Sequence, residues 1–323
     1  MTRDEWLQRR TWSGSAFDPE HLAARKRELG LTVSVGLPCL DVAGTVGDIV
    51  AAVRSRWMDD VPLVDQVAAI DSHSTDGTAR VAADAGAEVY EEPEILPEAG
   101  PGRGKGEALW KSLVPLRGDL VLWLDSDVED FDPEFVPGML GPLIADPEVA
   151  YVKAFYRRPF GDLPEGGGRV TEIAARPLLN LFRPDLAALA QPLSGEAAGR
   201  RELLERLPFF TGYAVEIGLL LDIHRRHGMA PIAQVDLGER RHRHQPTPDL
   251  GRMSHAIMRA VLRRAAEEGR VPEEVAEHSS YARPVQDAAG MHMDAVEVPL
   301  QERPPMIEMP GYRRVRAAPA GVP

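Results

Sequence analysis

Apolar runs of strand length alternate with helix-length segments over the first half of the chain. The predicted strands cover residues 31–38, 63–70, 88–91 and 120–124, and the predicted helices cover 45–57, 78–85 and 105–113. Strands that alternate with helices in this way predict right-handed βαβ crossovers and a largely parallel sheet. We therefore predict an α/β fold whose first half is a Rossmann-like, nucleotide-binding layer.

The second half of the chain has a less regular pattern. It predicts strands over 149–156 and 232–240, a helix that follows three glycines and ends near residue 182, and helices over 213–226 and 253–268. After residue 283 the chain is rich in Pro and Met without clear periodicity, which predicts an extended tail packed on the body or on a neighbouring subunit. We divide the chain into a lead-in (1–30), a nucleotide-sugar part (31–155), an acceptor and metal-ligand part (156–283) and a C-terminal tail (284–323).

Composition and charge narrow the function classes. The chain has 323 residues, a net charge of −13 and one cysteine, Cys39. The negative charge disfavours nonspecific binding to nucleic acid or to an anionic membrane. The sequence has no apolar run long enough for a membrane span and no signal-peptide pattern, so we expect a cytoplasmic protein. We expect Cys39, at an apolar strand end, to be a packed thiol and not a nucleophile.

Two carboxylates follow the buried-strand pattern of residues 120–124. They are Asp125 and Asp127, separated by one small residue. Ligands of α/β sheets collect at the carboxyl ends of strands, and Mg²⁺ or Mn²⁺ prefers oxygen ligands. The pair is therefore a candidate site for a metal–diphosphate, and the alternative is an acidic turn that only ends the strand.

A glycine-rich run precedes the helix that is predicted over 105–113. It has neither the Ser or Thr that a Walker loop needs nor the last glycine of a dinucleotide-binding loop, which disfavours an ATPase or a dehydrogenase. Its Lys105, at the helix start, would favour an anion. The chain contains four lysines against 33 arginines, so a retained lysine suggests a point-charge role.

Several motifs together resemble one known family. The run 71–77 resembles the Asp-Ser-x-Ser-x-Asp loop of GT-A nucleotide-sugar transferases, and 125–127 resembles their metal motif. The runs 101–110, 166–172 and 191–196 are similar to the retaining glucosyl-3-phosphoglycerate and mannosyl-3-phosphoglycerate synthases of actinobacterial type. The resemblance extends from about residue 31 to residue 250, and it implies a GT-A fold.

The resemblance implies a donor site and a metal site. Asp71 and Ser72 would contact the base and ribose, Asp125 would bind the ribose, and Asp127 and His242 would hold Mg²⁺ or Mn²⁺. The residues implied to bind the nucleotide-diphospho sugar are Pro38, Leu40, Asp71, Ser72, Lys105, Asp125, Ser126, Asp127, Tyr213, Glu216 and Arg240.

The implied acceptor is D-3-phosphoglycerate. Its site would comprise Gly168, Arg169, Thr171 and His244. Glycines let the backbone approach an anion, the following helix offers free N–H groups, and an arginine can bind phosphate or carboxylate in fork geometry.

The residues implied for catalysis are Asp127, Leu193 and Glu216. Retention of anomeric configuration needs either a carboxylate nucleophile, for which Glu216 is the nearest candidate, or a same-face route. In the same-face route the Leu193 carbonyl stabilises an oxocarbenium-like sugar, and Glu216 orients sugar hydroxyls. Val42 and His244 depart from the glucosyl-type pattern, so mannose and glucose, and the donor bases of GDP-mannose, GDP-glucose and UDP-glucose, all stay open.

The sequence disfavours three alternative functions. An inverting transferase acting on a lipid phosphate or polysaccharide would carry Gln-x-x-Arg-Trp or a membrane anchor, and a nucleotidyltransferase would carry a glycine-rich signature after the first strand; neither feature is present. A catalytically inactive nucleotide-sugar sensor would not need Asp127, His242 and Lys105 together. The tail and the resemblance predict a homodimer, with no nucleic-acid or membrane partner.

Overall fold

The centre of the molecule is a mostly parallel sheet. The computed structural model describes residues 1–158, 168–240, 246–287 and 290–317. The strands are β1 Thr11–Ser13, β2 Val33–Cys39, β3 Gln66–Asp71, β4 Glu88–Glu91, β5 Leu120–Trp123, β6 Tyr151–Arg157, β7 Ala197–Arg200, β8 Phe209–Phe210, β9 Ile232–Glu239, β10 Ser280–Asp287, β11 Gly290–Glu297 and β12 Glu302–Arg303. Within the described ranges eight of these strands form one sheet, in the order β1-β9-β6-β7-β5-β2-β3-β4.

Helices cover both faces of this sheet. They are α1 Arg3–Arg10, α2 Pro19–Glu28, α3 Val46–Arg54, α4 Thr78–Asp84, α5 Lys105–Ser112, α6 Phe135–Ala145, α7 Arg176–Phe182, α8 Arg201–Leu204, α9 Val215–His227, α10 Thr247–Glu267, α11 Glu274–Glu277 and α12 Pro310–Ala317. One apolar cluster lies on the side of α5 and α9, and the other on the side of α3 and α6. Because both faces are covered, every residue of β5 is buried, as its uninterrupted apolar run predicts.

The sheet confirms the predicted α/β fold and its largely parallel pairing. All neighbouring strand pairs are parallel except the two that β7 makes with β5 and β6. The sequence pattern missed β7 and β1, since β1 has three residues and β7 consists of small residues and an arginine. Both strands complete the sheet through backbone pairing.

The strand register brings the predicted site loops to one edge. Cys39 at the end of β2 lies opposite Asp71 at the end of β3, and Gly36 of β2 lies opposite Trp123 at the end of β5. The loops that follow these three parallel strands therefore leave the sheet on the same side. This edge is where α/β sheets bind their ligands.

The C-terminal part is more ordered than the expected irregular tail. β10 and β11 form an antiparallel hairpin, and β12 pairs with β8. Met306 and Tyr312 are buried in the core, so this segment packs on the body as predicted. The central sheet contains strands from three of the predicted segments, namely 1–30, 31–155 and 156–283. The predicted division of the chain therefore concerns the roles of these segments and not separately folded units, and those roles stay predictions.

Among the helices of the described residues, none combines the length and the apolar character that crossing a membrane requires.

Candidate functional site

Asp71 orders the loop that follows β3. The carboxylate is buried, and its two oxygens accept hydrogen bonds from the Ser74 backbone N–H at 3.1 Å and from the Ser74 hydroxyl at 2.5 Å. The Ser74 hydroxyl in turn accepts the Asp41 N–H at 2.9 Å. The structure thus gives Asp71 a scaffolding contact, and its implied contact with the donor stays a prediction.

The loops after β2 and β3 are fastened to each other. Asp41 accepts the Thr75 N–H at 2.8 Å, and Asp76 accepts the Ala43 N–H at 2.9 Å. These bonds hold Asp41 and His73 in the left-handed region, with φ of 51° and 64°, where non-glycine residues are uncommon. The pattern of Asp, Ser and Thr in the run 71–77 therefore builds a preformed rim, because strained residues persist only where the surroundings hold them.

A cavity of about 940 Å³ opens between these loops and the start of α5. Eight residues predicted to bind the donor line it: Pro38, Leu40, Ser72, Lys105, Asp125, Ser126, Asp127 and Tyr213. Three others, Asp71, Glu216 and Arg240, do not line it, although Glu216 and Arg240 contact residues that do. The structure thus brings most of the implied donor site together.

One wall of the cavity combines the glycine-rich run before α5 with residues that the sequence did not indicate. It comprises Glu92, Pro93, Pro97 and the run 100–104. Arg303 of β12 supports this wall, since its guanidinium donates to the Ala99 carbonyl at 2.5 Å, to the Gly100 carbonyl at 2.9 Å and to Glu107 at 2.7 Å. These contacts join residues 196 to 204 positions apart, which no local pattern reveals.

Lys105 lies between two carboxylates at the base of the cavity. Its Nζ is 2.5 Å from Oδ1 of Asp125 and 3.3 Å from Oε1 of Glu216. Burial alone would lower the pKa of Lys105, but the two carboxylates outweigh burial and raise the pKa above its ordinary value. The ammonium is therefore charged throughout the physiological range, and it is a fixed cation in the site.

Arg240 is a second cation of the same cluster. Its Nη2 lies 3.4 Å from Oδ2 of Asp125, and it is also ion-paired with Glu196. Tyr156 completes the group, donating its hydroxyl to Glu196 at 2.9 Å. Asp125 is therefore ion-paired with two cations, Lys105 and Arg240.

Asp127 stands apart from this ion cluster. It is exposed, lines the cavity, and within the described residues takes part in no hydrogen bond or ion pair. The turn that carries it is fixed, because Thr45 donates to the Ser126 carbonyl at 2.6 Å and Ser126 donates to the Pro38 carbonyl at 2.5 Å. A carboxylate held at a cavity wall with its oxygens available fits a hard divalent cation.

The second predicted metal ligand, His242, lies outside the described residues, as does His244 of the predicted acceptor site. Among the residues that are described, no three of His, Cys, Asp or Glu come close enough to form a metal cluster. Mg²⁺ sites commonly take one or two protein carboxylates and complete the shell with waters and substrate phosphates, so Asp127 suits such a site.

Three of the predicted acceptor residues, Gly168, Arg169 and Thr171, lie at the start of a helical segment. Gly168 has φ of 76°, a conformation that favours glycine, and Thr171 is buried. Arg169 is half-buried, with its Nη1 3.4 Å from the Thr247 hydroxyl. None of the three lines the donor cavity, and their role in acceptor binding stays a prediction.

The predicted catalytic residue Leu193 belongs to a turn beside the ion cluster. The Ser194 N–H closes the turn by donating to the Gln191 carbonyl at 3.1 Å. Lys105 donates to the carbonyl of Gly195, directly after the turn, at 3.2 Å. A side chain at Gly195 could not be accommodated, since its Cβ would lie 2.1 Å from Oδ2 of Asp125. Asp125 therefore packs directly against the backbone of Gly195, next to the turn.

Cys39 is a packed thiol, as predicted. It is buried, and burial raises its pKa to about 12. Because the nucleophile would be the thiolate, this cysteine is not suited to covalent catalysis.

Known proteins match this chain over most of its length. The profile of the family described as "Glycosyl transferase family 2" matches residues 34–207. The glucosyl-3-phosphoglycerate synthase of Petrotoga mobilis is 42% identical, over 95% of this chain and 96% of that protein.

Solved structures agree with these matches. The mannosyl-3-phosphoglycerate synthase of Rubrobacter xylanophilus is 47% identical, with a TM-score of 0.89 over 95% of this chain and 98% of that one. The glucosyl-3-phosphoglycerate synthase of Mycobacterium tuberculosis, in complex with Mn²⁺, UDP and phosphoglyceric acid, is 41% identical, with a TM-score of 0.81 over 92% and 97%.

These likenesses confirm the family resemblance, the GT-A type of fold and, at the level of the family, the predicted divalent metal cofactor. The chain is thus a hexosyltransferase that belongs to glycosyl transferase family 2 and, within it, to the family of glucosyl- and mannosyl-3-phosphoglycerate synthases.

Proposed function

We propose that the protein transfers mannose or glucose, with retention of anomeric configuration, from a nucleotide-diphospho sugar to D-3-phosphoglycerate. The donor is GDP-mannose, GDP-glucose or UDP-glucose, and the product is mannosyl- or glucosyl-3-phosphoglycerate. The observation that carries the proposal is the charged Lys105, which lines the donor cavity and lies between Asp125 and Glu216. An ammonium there supplies positive charge for a diphosphate leaving group.

The cavity has the size and lining that a nucleotide-diphospho sugar needs. Ligand sites for small molecules span roughly 300–1,000 Å³, and this cavity of about 940 Å³ lies near the upper end. Val42 also lines it, and the family resemblance implies a Glu at this position in glucosyl-type enzymes. Because Val42 has no carboxylate, this position does not favour one nucleotide base, and all three donors are tested.

Asp127 and His242 would hold Mg²⁺ or Mn²⁺ against the diphosphate. A divalent cation bound there would neutralise the negative charge that develops on the departing group. The Mn²⁺ and UDP in the Mycobacterium tuberculosis relative support this assignment. Among the described residues, the exposed Asp127 carboxylate is the one best suited to the metal.

For the acceptor, we assign Gly168, Arg169, Thr171 and His244. The guanidinium of Arg169 can bind a carboxylate or a phosphate through two N–H groups, and the positive φ of Gly168 lets the backbone turn at the start of the helical segment. The protein carries a net charge of −13, so an anionic acceptor needs a local cation of this kind.

We propose the same-face route to retention. Glu216 is mostly buried and ion-paired with Lys105, so its carboxylate is poorly placed to attack the sugar, and we assign it to orienting sugar hydroxyls. The C1–O bond to the diphosphate breaks with its electron pair on the departing oxygen, and the C2 hydroxyl oxygen of the acceptor forms the new bond to C1 on the same face. The hydroxyl proton passes to the departing phosphate oxygen, and the Leu193 carbonyl stabilises the positive charge on the sugar.

We further propose a cytoplasmic homodimer. The exposed Met291 and Met293 of the β10–β11 hairpin give this part of the C-terminal region an apolar surface, and the single, buried Cys39 suits a reducing compartment. Light scattering of the purified protein should give twice the 35.4 kDa chain mass, and a monomer mass at micromolar concentration would contradict the dimer.

The substrate assignment is tested by product analysis. The protein is incubated with Mg²⁺, D-3-phosphoglycerate and each of the three donors, and products are identified by mass spectrometry and by NMR of the anomeric proton. We expect an α-linked hexosyl-3-phosphoglycerate from at least one α-linked donor. Glycerate, which lacks the phosphate, is the matched acceptor control and should react at least tenfold more slowly. A β-linked product would contradict retention, and equal use of glycerate would contradict the acceptor assignment.

A further inference from the structure

Three of the four lysines are buried, namely Lys26, Lys111 and Lys153. Lys153 is in the middle of β6, is completely buried, and donates from Nζ to the Ser194 carbonyl. Burying an amine in an apolar strand costs free energy unless the amine is hydrogen-bonded, and the Ser194 carbonyl accepts that bond. This lysine and its bond to the 191–195 segment have no place in the donor, acceptor or metal assignments above.

Four of the contacts that anchor the segment 190–195 come from the sheet and from α5. Gln191 donates its side-chain amide to the Tyr156 carbonyl, and the Ala190 N–H donates to Oε1 of Gln234 at 2.8 Å. Lys153 holds the Ser194 carbonyl, and Lys105 holds the Gly195 carbonyl. Each anchor lies on the sheet or on α5, so rigid elements set the position of the turn.

Leu193 is the third residue of this turn. Pro192, with its fixed φ, occupies the second position, which suits the central pair of a β-turn. The Gln191 carbonyl accepts the Ser194 N–H, so the turn holds the Leu193–Ser194 peptide plane, and the bond from Lys153 holds the next plane, that of Ser194 and Gly195. The two planes are joined through the φ and ψ of Ser194, so the position of the Ser194 carbonyl constrains the orientation of the Leu193 carbonyl before it.

We propose that Lys153 is a positioning residue that sets the orientation of the Leu193 carbonyl toward the sugar. The proposal rests on the proposed function, in which that carbonyl stabilises the positively charged sugar. Stabilisation of this kind acts only as charge develops, so a misoriented carbonyl slows turnover without weakening donor binding. Lysine suits the position because an amine donates a hydrogen bond whether or not it carries the extra proton.

The charged neighbours of Lys153 are consistent with this role. Burial is the largest effect on the pKa of Lys153 and brings it down to about 7. Glu216 on α9 and Asp125 after β5 raise this pKa, and Lys105 on α5 and Arg158 after β6 lower it. Both protonation states are therefore populated near neutral pH, and the bond to Ser194 survives in either.

The test compares Lys153→Met with Lys26→Met. Lys26 is a matched control, since it is also a buried lysine whose Nζ donates to backbone carbonyls, those of Pro62 and Leu63, both at 3.2 Å, but it lies on α2. We expect Lys153→Met to lower kcat roughly 10- to 100-fold with the donor KM within about threefold, as outer-shell partners of a site typically do. Lys26→Met should change the melting temperature and leave kcat within about twofold.

A second variant keeps the test decisive if Lys153→Met folds poorly. Lys153→Ala removes three carbons and the amine, so n-propylamine in the buffer replaces the missing atoms and should restore part of kcat in a saturable manner. Lys26→Ala should show no such rescue.

The outcomes separate the two proposals. If the wild type makes no hexosyl-3-phosphoglycerate, the proposed function is wrong. If the wild type is active and Lys153→Met keeps its kcat, or loses kcat and donor affinity by the same factor, the positioning role of Lys153 is wrong.

Discussion

The Nζ of Lys105 lies 2.5 Å from Oδ1 of Asp125 and bridges it to Glu216, whose Oε1 is 3.3 Å away. The three groups come from α5, the end of β5 and the first turn of α9. The single charge of this ammonium offsets part of the negative charge of the two acids, and Arg240 is a second cation on Asp125. Without the ammonium, less positive charge would stand against a diphosphate at this wall.

Lys105→Met should therefore lower kcat by roughly 10²- to 10³-fold, the range seen when one charge-stabilising donor is removed from an active site. Steady-state kinetics with saturating donor and acceptor measures the effect, and a melting curve verifies folding. Arg103→Met is the matched control, because Arg103 lines the same cavity from the neighbouring loop but is not assigned to the leaving group. It should cost less than tenfold, and a Lys105→Met enzyme within fivefold of wild type would exclude the leaving-group role.

Asp127→Asn should abolish tight metal binding in the presence of nucleoside diphosphate. The amide keeps the shape but removes the charge that a hard cation prefers. Titration of Mn²⁺, followed by electron paramagnetic resonance, should give a Kd at least tenfold weaker than wild type. Asp130→Asn removes an exposed acid three residues further along and should bind Mn²⁺ as wild type does. Equal affinities for wild type and Asp127→Asn would remove Asp127 from the metal site.

Arg169→Ala should impair acceptor use specifically. Loss of a fork-shaped pair of hydrogen bonds to an anion should raise the KM for 3-phosphoglycerate at least tenfold and leave the donor KM within about twofold. Arg80→Ala, which removes an exposed arginine on α4 that pairs with Asp84, serves as the control for a general loss of positive charge. If both KM values of Arg169→Ala rise together, the acceptor site is elsewhere.

The buried Lys153 also predicts how stability depends on pH. Its pKa is about 7 in the folded protein and 10.5 when unfolded, so between these values the unfolded chain binds the extra proton. The free energy of unfolding should therefore rise with pH over this window, by about 1.4 kcal/mol per pH unit from this group. Below pH 7 both states are protonated and the contribution is flat.

Urea unfolding of wild type and Lys153→Met at pH 7.5 and pH 9.5 measures this slope. The difference in unfolding free energy between the two pH values should be smaller in the variant, because its methionine does not titrate. Identical slopes would mean that Lys153 keeps an ordinary pKa in the folded protein.

The parts of the fold and site that could be predicted from sequence are those with local patterns. β5 is a continuous apolar run ending in Asp125, and the regular alternation of strands and helices predicts the parallel sheet. The loop after β3 was recognised by its Asp, Ser and Thr spacing. Its first residue, Asp71, is buried and hydrogen-bonded within the loop, and the donor contact that the resemblance implies for it stays a prediction.

The features of the fold and site that could not be predicted from the sequence depend on contacts between distant residues. Arg303 supports a cavity wall at Gly100, which lies 203 positions earlier. The β10–β11 hairpin has no apolar period because both of its faces are largely exposed. Lys153 did leave a signal, namely a lysine in an apolar strand of a chain with only four lysines. The scarcity that singled out Lys105 applied equally to Lys153.

Acceptor-dependent release of nucleoside diphosphate tests the central claim most directly. The protein is given Mg²⁺ and its best donor, and nucleoside diphosphate is measured with and without D-3-phosphoglycerate. We predict release that depends on the acceptor and matches hexosyl-3-phosphoglycerate formation mole for mole. Release at the same rate without the acceptor, or no release from any of the three donors, would contradict hexosyl transfer to 3-phosphoglycerate.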